Sequence, residues 1–347
     1  MRIGALKDSY AADQALFDTR VQRVWLAAGA LLLVALPFVA SDYWLFLACL
    51  VGIHVISTTG LNILTGYTGL VSLGQAAFMG VGAYTVGYCQ IRFGTPFLLN
   101  LIAAGLVTAA LGVLVGVPSL RVKGLYLAIA TIAASFILHF VFQNWTAVTG
   151  GTRGLSIPPA RMFGHDLARP QQLYWVILPF TLLAVLGAAN LFRTRWGRAF
   201  IAVRDRDISA EVLGIPLLKT KLMSFALSSF YAGIAGGLWA YFFRVVTPES
   251  FPFVYSIFFL AAVIVGGMGT ILGGILGAVF MTLVPEVLKL VVGWLTPVLP
   301  NAVALLAPVR TIVFGLLIIG FLIFEPHGLA EVWRRIRRFF HLWPFRT

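Results

Sequence analysis

GYTGLVSLGQAAFMGVGAY, residues 66–84, places polar and very small side chains inside a strongly apolar part of the chain. Glycines stand at 66, 69, 74, 80 and 82, with Ser72 and Gln75 among them. Helix interiors disfavour glycine and lipid-facing surfaces disfavour amides. The stretch therefore marks a close helix–helix contact or a helix that breaks. The surrounding composition identifies the solvent. Of the 347 residues 60% are hydrophobic and 11% charged, where a soluble domain carries about 25% charged residues. The apolar residues come in blocks close to the ~20 residues that cross a bilayer as a helix. Only helices or closed barrels satisfy the backbone in lipid, and no short alternating strands are present. The fold class is an all-α polytopic membrane protein.

Blocks able to span, straight or tilted, run near 24–40, 43–65, 70–91, 97–117, 125–145, 173–192, 222–243, 254–267, 271–292 and 309–324. They predict about ten transmembrane helices in a membrane domain over 24–328. A cytoplasmic N-terminal segment (1–23) precedes it, and a basic–aromatic cytoplasmic tail (329–347) follows. With the N-terminus inside, the inner segments hold Arg2, Lys7, Arg20, Arg23, Arg121, Lys123, seven basic residues from Arg193 to Lys221, and Arg334, Arg335, Arg337, Arg338 and Arg346. That is 18 of the 25 Lys and Arg, so the orientation is N-in, C-in. The net charge of +13 then reports topology and a lipid bilayer, not nucleic acid. The first 23 residues lack the short apolar core and small-residue cleavage site of a signal peptide, so the first block is a retained span. Cys49 and Cys89 lie inside apolar blocks and offer neither a disulfide framework nor a metal site.

The loops differ in kind. Residues 146–172 form a long outer loop rich in Gly and Pro, and 292–308, with Pro297, Pro300 and Pro308, lie along the outer surface. The tail WRRIRRFFHLWPFR alternates arginines with aromatics, as a helix on an anionic leaflet would. The inner loop 193–221, RTRWGRAFIAVRDRDISAEVLGIPLLKTK, carries a small amphipathic unit. Asp207 caps a short helix, Glu211 favours its early turns, and Gly214 with Pro216 stops it. Ile208, Val212 and Leu213 give it an apolar side. A loop serving only to fix topology needs no such helix, so the unit reads as a docking element. The chain has no G-x-x-x-x-G-K-[ST] and no other nucleotide cradle, so any ATP-driven step needs a separate subunit docked there.

The runs GLNILTGYTGLVSLGQAAFMGVGAY (60–84), GLYLAIATIAASFIL (124–138), NWTAVTGGTRGL (144–155), RAFIAVRDRDISAEVLGIPLLKTKLMSFALSSFYAGIAGGL (198–238) and VGGMGTILGGILGA (265–278) together resemble the LivM-type permease of branched-chain amino acid ABC importers. The likeness extends over about 43–328. It implies an inner-membrane subunit without chemistry or cofactor of its own. The implied partners are a second related permease, two cytoplasmic ATPase subunits and a periplasmic substrate-binding protein. By the same likeness 207–214 is the coupling helix, matched at Asp207, Ala210, Glu211 and Gly214 and flanked by Arg204 and Arg206. Permeases of this kind carry branched-chain or other hydrophobic amino acids, urea or short amides, and aromatic acids, with most selection made by the binding protein.

The glycines divide. Small residues four apart let membrane helices approach closely, which assigns Gly112/Gly116, Gly233/Gly237, Gly273/Gly277 and Ala76/Gly80 to packing. Gly66, Gly69 and Gly74 repeat the spacing of Gly266, Gly269 and Gly274. A helix starting near Leu70 would put Ser72 and Gln75 on one side and offer free N–H groups to a substrate carboxylate. Gly66, Thr68, Gly69, Ser72, Gln75, Gly266, Gly267 and Gly269 are thus expected to border a translocation path. His54, Asn62, Asn100 and His139 read as interhelical hydrogen-bonding residues, and Glu286 with Lys289 as an ion pair. One such pair argues against a proton-coupled secondary transporter. Ser72 with His54 or His139 would be the only nucleophile arrangement, and no G-x-S-x-G or H-E-x-x-H supports a hydrolase.

Overall fold

In a lipid-like interior a helix is the one local structure that pairs all its own backbone groups, and each of the ten apolar blocks forms one. The computed structural model describes residues 20–119, 124–162, 165–167, 169–295, 306–325 and 327–342. Most of the N-terminal segment with Arg2 and Lys7, Arg121 and Lys123, Pro297 and Pro300, and Arg346 lie outside the described residues. In chain order the helices are α1 (Arg20–Val39), α2 (Asp42–Asn62), α3 (Gln75–Phe93), α4 (Phe97–Ser119), α5 (Leu125–Asn144) and α6 (Pro170–Leu191). There follow α7 (Arg195–Asp205), α8 (Asp207–Val212), α9 (Leu217–Phe243), α10 (Phe253–Gly266), α11 (Ile271–Leu295), α12 (Leu306–Phe324) and α13 (Leu329–Leu342).

Among the described residues seven segments are long and apolar enough to cross a membrane: Asp42–Tyr67, Phe97–Pro118, Tyr126–Asn144, Pro170–Leu191, Leu217–Phe243, Pro248–Gly266 and Ile271–Leu290. α3 is more polar because it runs inside the bundle, where Gln75 through Tyr84 are buried without a gap.

α9 is the hub. Its 27 residues rise about 40 Å, and α2, α3 and α4 pack on it. The contact depends on residues with no side chain to keep the backbones apart. A Cβ on Gly82 of α3 would overlap the Gly233 carbonyl, and one on Gly236 would overlap the Met79 carbonyl. The same device joins α10 to α11, where Gly277 lies against the Ala262 carbonyl. Gly112 and Gly116 face α9 at Ser229 and Leu222, and Gly80 faces Phe142 and Phe251. All four small-residue pairs therefore include close-packing positions.

The connections gather at two ends. At one, β1 (Leu155–Ser156) pairs antiparallel with β4 (Val245–Val246), Leu155 opposite Val246. β2 (Ala160–Met162) and β3 (His165–Leu167) make a hairpin beside it, so 146–172 is a folded cap more than an open loop. The Ile157 N–H donates to the Arg244 carbonyl at 2.7 Å. At the other end lie the α2–α3 connection, α7 and α8, the α10–α11 turn and the start of α13.

Two sequence expectations change. α3 begins at Gln75 and not near Leu70, so Ser72 and Gln75 do not share a helix face. Gln75 sits beside Ser57, ten residues and about 15 Å of helix rise before Tyr67. The 68–74 connection therefore climbs back alongside α2 as non-helical chain. The inner loop also holds two helices, α7 as well as the expected α8.

The packing makes one direct prediction. Gly236→Val should lower thermal stability in detergent by the about 1–3 kcal/mol of an overpacked contact. Gly315→Ala, with no atom within 4 Å of its added Cβ, should leave the melting curve unchanged.

Candidate functional site at the broken helices

α2 does not end cleanly. Its hydrogen-bond ladder slips into a π turn over Ile63–Tyr67, a distortion that recurs at functional sites. Local hydroxyls take up part of what the slip releases. The Thr68 hydroxyl donates to the Ile63 carbonyl at 3.0 Å and the Thr65 hydroxyl to the Leu70 carbonyl at 3.2 Å. Gly69 then turns the chain at φ +74°, a left-handed conformation that residues with a Cβ rarely adopt.

Hydroxyls from distant helices hold the start of α3. The Leu73 N–H donates to the Thr131 hydroxyl at 3.0 Å, and the Ala76 N–H to the Ser256 hydroxyl at 3.0 Å. The Gly74 N–H reaches the Ser72 hydroxyl at 3.4 Å. Gln75, 1% exposed, donates through Nε2 to the Ser57 carbonyl at 2.9 Å and the Ser57 hydroxyl at 3.1 Å. The expected free N–H groups are thus occupied at Leu73, Gly74 and Ala76. These three bonds use the chain's own hydroxyls.

The second glycine set forms the turn between α10 and α11, with Gly267 at φ +117° and Gly269 at φ +71°. The Thr270 hydroxyl bridges this turn, donating to the Gly267 carbonyl and accepting from the Gly273 N–H, both at 3.0 Å. Gly266 packs against the Gly273 carbonyl, and Gly267 against His327 and Ala330. Of the three, Gly269 is the one that meets the first set, since a Cβ on Gly66 would overlap its backbone nitrogen.

Asn62 ties the two breaks together. Its Nδ2 donates to the Thr270 carbonyl at 2.7 Å, and its Oδ1 accepts the Gly269 N–H at 3.0 Å. One amide therefore pairs with both polar groups of a turn about 208 residues away in sequence. It was legible as a hydrogen-bonding residue, but nothing local showed its target. The other polar groups resolve similarly. His54 bridges Thr282 and Tyr255 at 2.7 and 2.5 Å, and Asn100 donates to Tyr241 at 2.8 Å. Glu286 accepts from Lys289 at 2.7 Å and from the Tyr43 hydroxyl. His139 instead pairs with Gln143 on its own helix.

The helices of the 193–221 connection, α7 and α8, reach the same place. Nη1 of Arg204, near the end of α7, donates to the Gly66 carbonyl at 3.1 Å. Its stem lies 3.0 Å from where a Gly69 Cβ would be, and its guanidinium 2.7 Å from a Gly269 Cβ. Asp205 holds the guanidinium at 3.1 Å. Tyr67 stacks on Phe192 with ring centroids 3.3 Å apart, fixing the chain that leads into α7. α8 follows after one extended residue, the exposed Arg206. The Asp207 carboxylate accepts the Ile208 N–H at 2.9 Å and lies 3.7 Å from Lys221. Ala210 is buried, and Gly214 at φ +84° closes the helix as Ile215 N–H donates to the Ala210 carbonyl at 3.0 Å. Glu211 faces solvent. Ile208, Val212 and Leu213 are 70, 84 and 80% exposed, an apolar surface standing out from the bundle end. Arg204 and Arg206 are thus not equivalent: one points into the joint between the breaks, and the other lies on the surface.

The family described as branched-chain amino acid transport system / permease component matches residues 43–322. The chain is similar to the high-affinity branched-chain amino acid transport system permease protein LivM of Escherichia coli (strain K12), 35% identical over 78% of this chain and 70% of that one. The probable branched-chain amino acid transport permease protein LivH of Methanocaldococcus jannaschii is 26% identical over 82% of this chain and 90% of its own length. The autoinducer 2 import system permease protein LsrC of Klebsiella pneumoniae is 30% identical over 64% of this chain and 66% of its own. No solved structure matches the chain.

Asn62→Ala should remove both bonds between α2 and the 269–270 turn and leave the turn's N–H and carbonyl without them. The cost of unsatisfied buried groups is about 1–3 kcal/mol each. A thermal melt of the purified protein should show a drop of that order, and an unchanged melt would contradict the joint as described.

Proposed function

The chain belongs to the branched-chain amino acid transport system permease family, and from that premise we propose that it is one membrane subunit of an ATP-driven importer for branched-chain or other hydrophobic amino acids. The observation that carries the mechanism is the contact of Arg204 with Gly66, Gly69 and Gly269. It connects the surface helices α7 and α8 to both interrupted helices.

In this reading the chain crosses the bacterial inner membrane ten times, N-in and C-in. The grouping of its connections at two ends supports that parity, since segments assigned to one side meet one another. A second, related permease completes the translocation path, and the similarity of this one chain to both LivM and LivH relatives supports such a pairing. Of two cytoplasmic ATPase subunits, one docks on the exposed apolar side of α8, around Asp207, Ala210, Glu211 and Gly214, and the other on the second permease. A periplasmic binding protein delivers substrate to the folded cap at 146–172.

Closure of the ATPase subunits on ATP displaces α8, and α7 moves with it. Arg204 passes that displacement to the π turn and to the α10–α11 turn. Gly66, Thr68, Gly69, Ser72, Gln75, Gly266, Gly267 and Gly269 border the path that opens and closes. The non-helical 68–74 chain is held by side-chain hydroxyls, which exchange partners more readily than a helix ladder breaks. The bonds from Thr131, Ser256 and Ser57 then define one arrangement of the gate. Similarity to an autoinducer 2 import permease supports a second cargo reading, a solute other than an amino acid; urea, short amides or aromatic acids are the alternatives. A binding screen of the cognate binding protein separates these, with tight leucine binding expected.

Two variants test the coupling. Glu211→Lys should abolish uptake and substrate-stimulated ATP hydrolysis while membrane insertion is normal, and full activity would count heavily against 207–214 as the coupling element. Arg204→Ala removes a hydrogen bond from a charged donor, worth about 1.5–3 kcal/mol, or roughly tenfold to a hundredfold in coupling. Solute moved per ATP hydrolysed in the reconstituted importer should fall by that factor while basal hydrolysis persists.

A further inference from the structure

The C-terminal helix carries an unabsorbed pattern. α12 ends at Phe324 and α13 starts five residues later at Leu329, reading LAEVWRRIRRFFHL. Trp333, Ile336 and Phe339 recur every three residues and share one face. They are 54, 46 and 54% exposed. On the same helical wheel Arg335 and Arg337 fall to either side of that face, while Arg334 and Arg338 lie opposite. Four arginines stand in this helix against one acidic residue, Glu331. Arg334 pairs with Glu331 at 2.9 Å, and Arg335 reaches both Glu325 oxygens at 2.9 and 3.2 Å.

The first turn of α13 is anchored. Leu329 packs on the cluster of Ala261, Ala262, Val265 and Met281, and Ala330 is buried. Gly328, at φ +71°, lies tight against Gly267, and a Cβ on Gly267 would come 2.7 Å from the His327 carbonyl oxygen. α13 is therefore fixed at one end to the α10–α11 turn, the turn that also touches Gly66 and Arg204 through Gly269. Its other end presents aromatics rimmed by arginines.

That arrangement begins just past the end of an apolar helix, at the level where lipid headgroups lie. Aromatic side chains favour that interface, and arginines favour anionic headgroups. The proposed docking face for a folded partner, on α8, lacks the aromatic side chains that α13 presents. We propose that α13 binds the anionic lipid leaflet and that this binding sets the position of the Gly267 turn, making transport dependent on membrane charge. The transport half rests on the permease reading above; the lipid half does not.

The test uses the complete importer in vesicles of phosphatidylcholine with and without phosphatidylglycerol. Arg337→Gln/Arg338→Gln is the variant, because it leaves the ion pairs to Glu325 and Glu331 intact. Spin-labelled phosphatidylglycerol should be immobilised by the wild type in preference to spin-labelled phosphatidylcholine. Each arginine near an anionic surface is worth roughly fivefold in association; Arg337 flanks the aromatic face and Arg338 lies opposite it, so the double variant should lose roughly fivefold of that preference. Uptake by the wild type should rise with phosphatidylglycerol, and uptake by the variant should stay at the wild-type rate in phosphatidylcholine alone. Equal lipid preference in the two proteins, or none in the wild type, would overturn the proposal. Loss of the ATPase subunits from the variant in phosphatidylcholine would make α13 a protein-docking helix and would overturn it as well. Retained lipid preference with uptake indifferent to phosphatidylglycerol would overturn the regulatory half. If the importer moves no amino acid at all, the spin-label comparison still decides the lipid half.

Discussion

Backbone that stops being helical inside an apolar bundle needs a partner for every N–H and carbonyl it uncovers, because neither lipid nor a dry core supplies one. The 63–76 region of this protein is organised by that requirement. Thr65 and Thr68 answer locally, Thr131 reaches in from α5 and Ser256 from α10, while Ser57 of α2 holds the Gln75 side chain. Arg204 takes the Gly66 carbonyl from outside the bundle. The helices that converge here are held together by polar groups that would be costly anywhere else in the interior. A break satisfied this way keeps α2 and α3 from becoming a plain hairpin and gives the loop helices something to hold.

Much of the architecture was readable because lipid leaves so few choices. Each long apolar block became a helix, and the small-residue pairs became close contacts for the reason that their spacing suggested. α8 was legible because its acidic residues and terminating Gly214 all lie within eight residues, although Asp207 is its first helical residue and the cap position falls to Arg206. The start of α3 was not, since Val71 and Leu73 do not oppose a helix by themselves. What stops it is the left-handed turn at Gly69 and acceptors supplied by residues as far away as Ser256. The matching glycine spacings carried partial information. The middle pair, Gly69 and Gly269, share a left-handed conformation at φ +74° and +71°. Gly74 precedes α3, whereas Gly274 lies within α11. That Gly66 would touch Gly269 could not be read from spacing at all.

The glycines of 66–84 therefore do two different things. Gly80 and Gly82 let α3 lie against its neighbours, and the contact is rigid because no side chain mediates it. Gly69 permits a turn and admits the Arg204 side chain, and Gly66 admits the Asn62 amide and the Gly269 backbone. Between them, hydroxyl-capped backbone forms the part of the fold most able to rearrange. Asn62, Arg204 and the α10–α11 turn connect that part to the surface of α8 on one side and to α13 on the other. A site of this kind carries no reacting group. Its chemistry is hydrogen bonding.

In the proposed mechanism α8 and the turn between α10 and α11 move as one unit through Arg204. Spin labels at Ser209, Met268 and Glu249, exposed positions on α8, on that turn and at the opposite end, allow pairwise distances to be measured in the assembled importer with and without ATP. The account predicts that the Ser209–Met268 distance is constant while both distances to Glu249 change together. A Ser209–Met268 distance that changes with ATP while Met268–Glu249 stays fixed would contradict it.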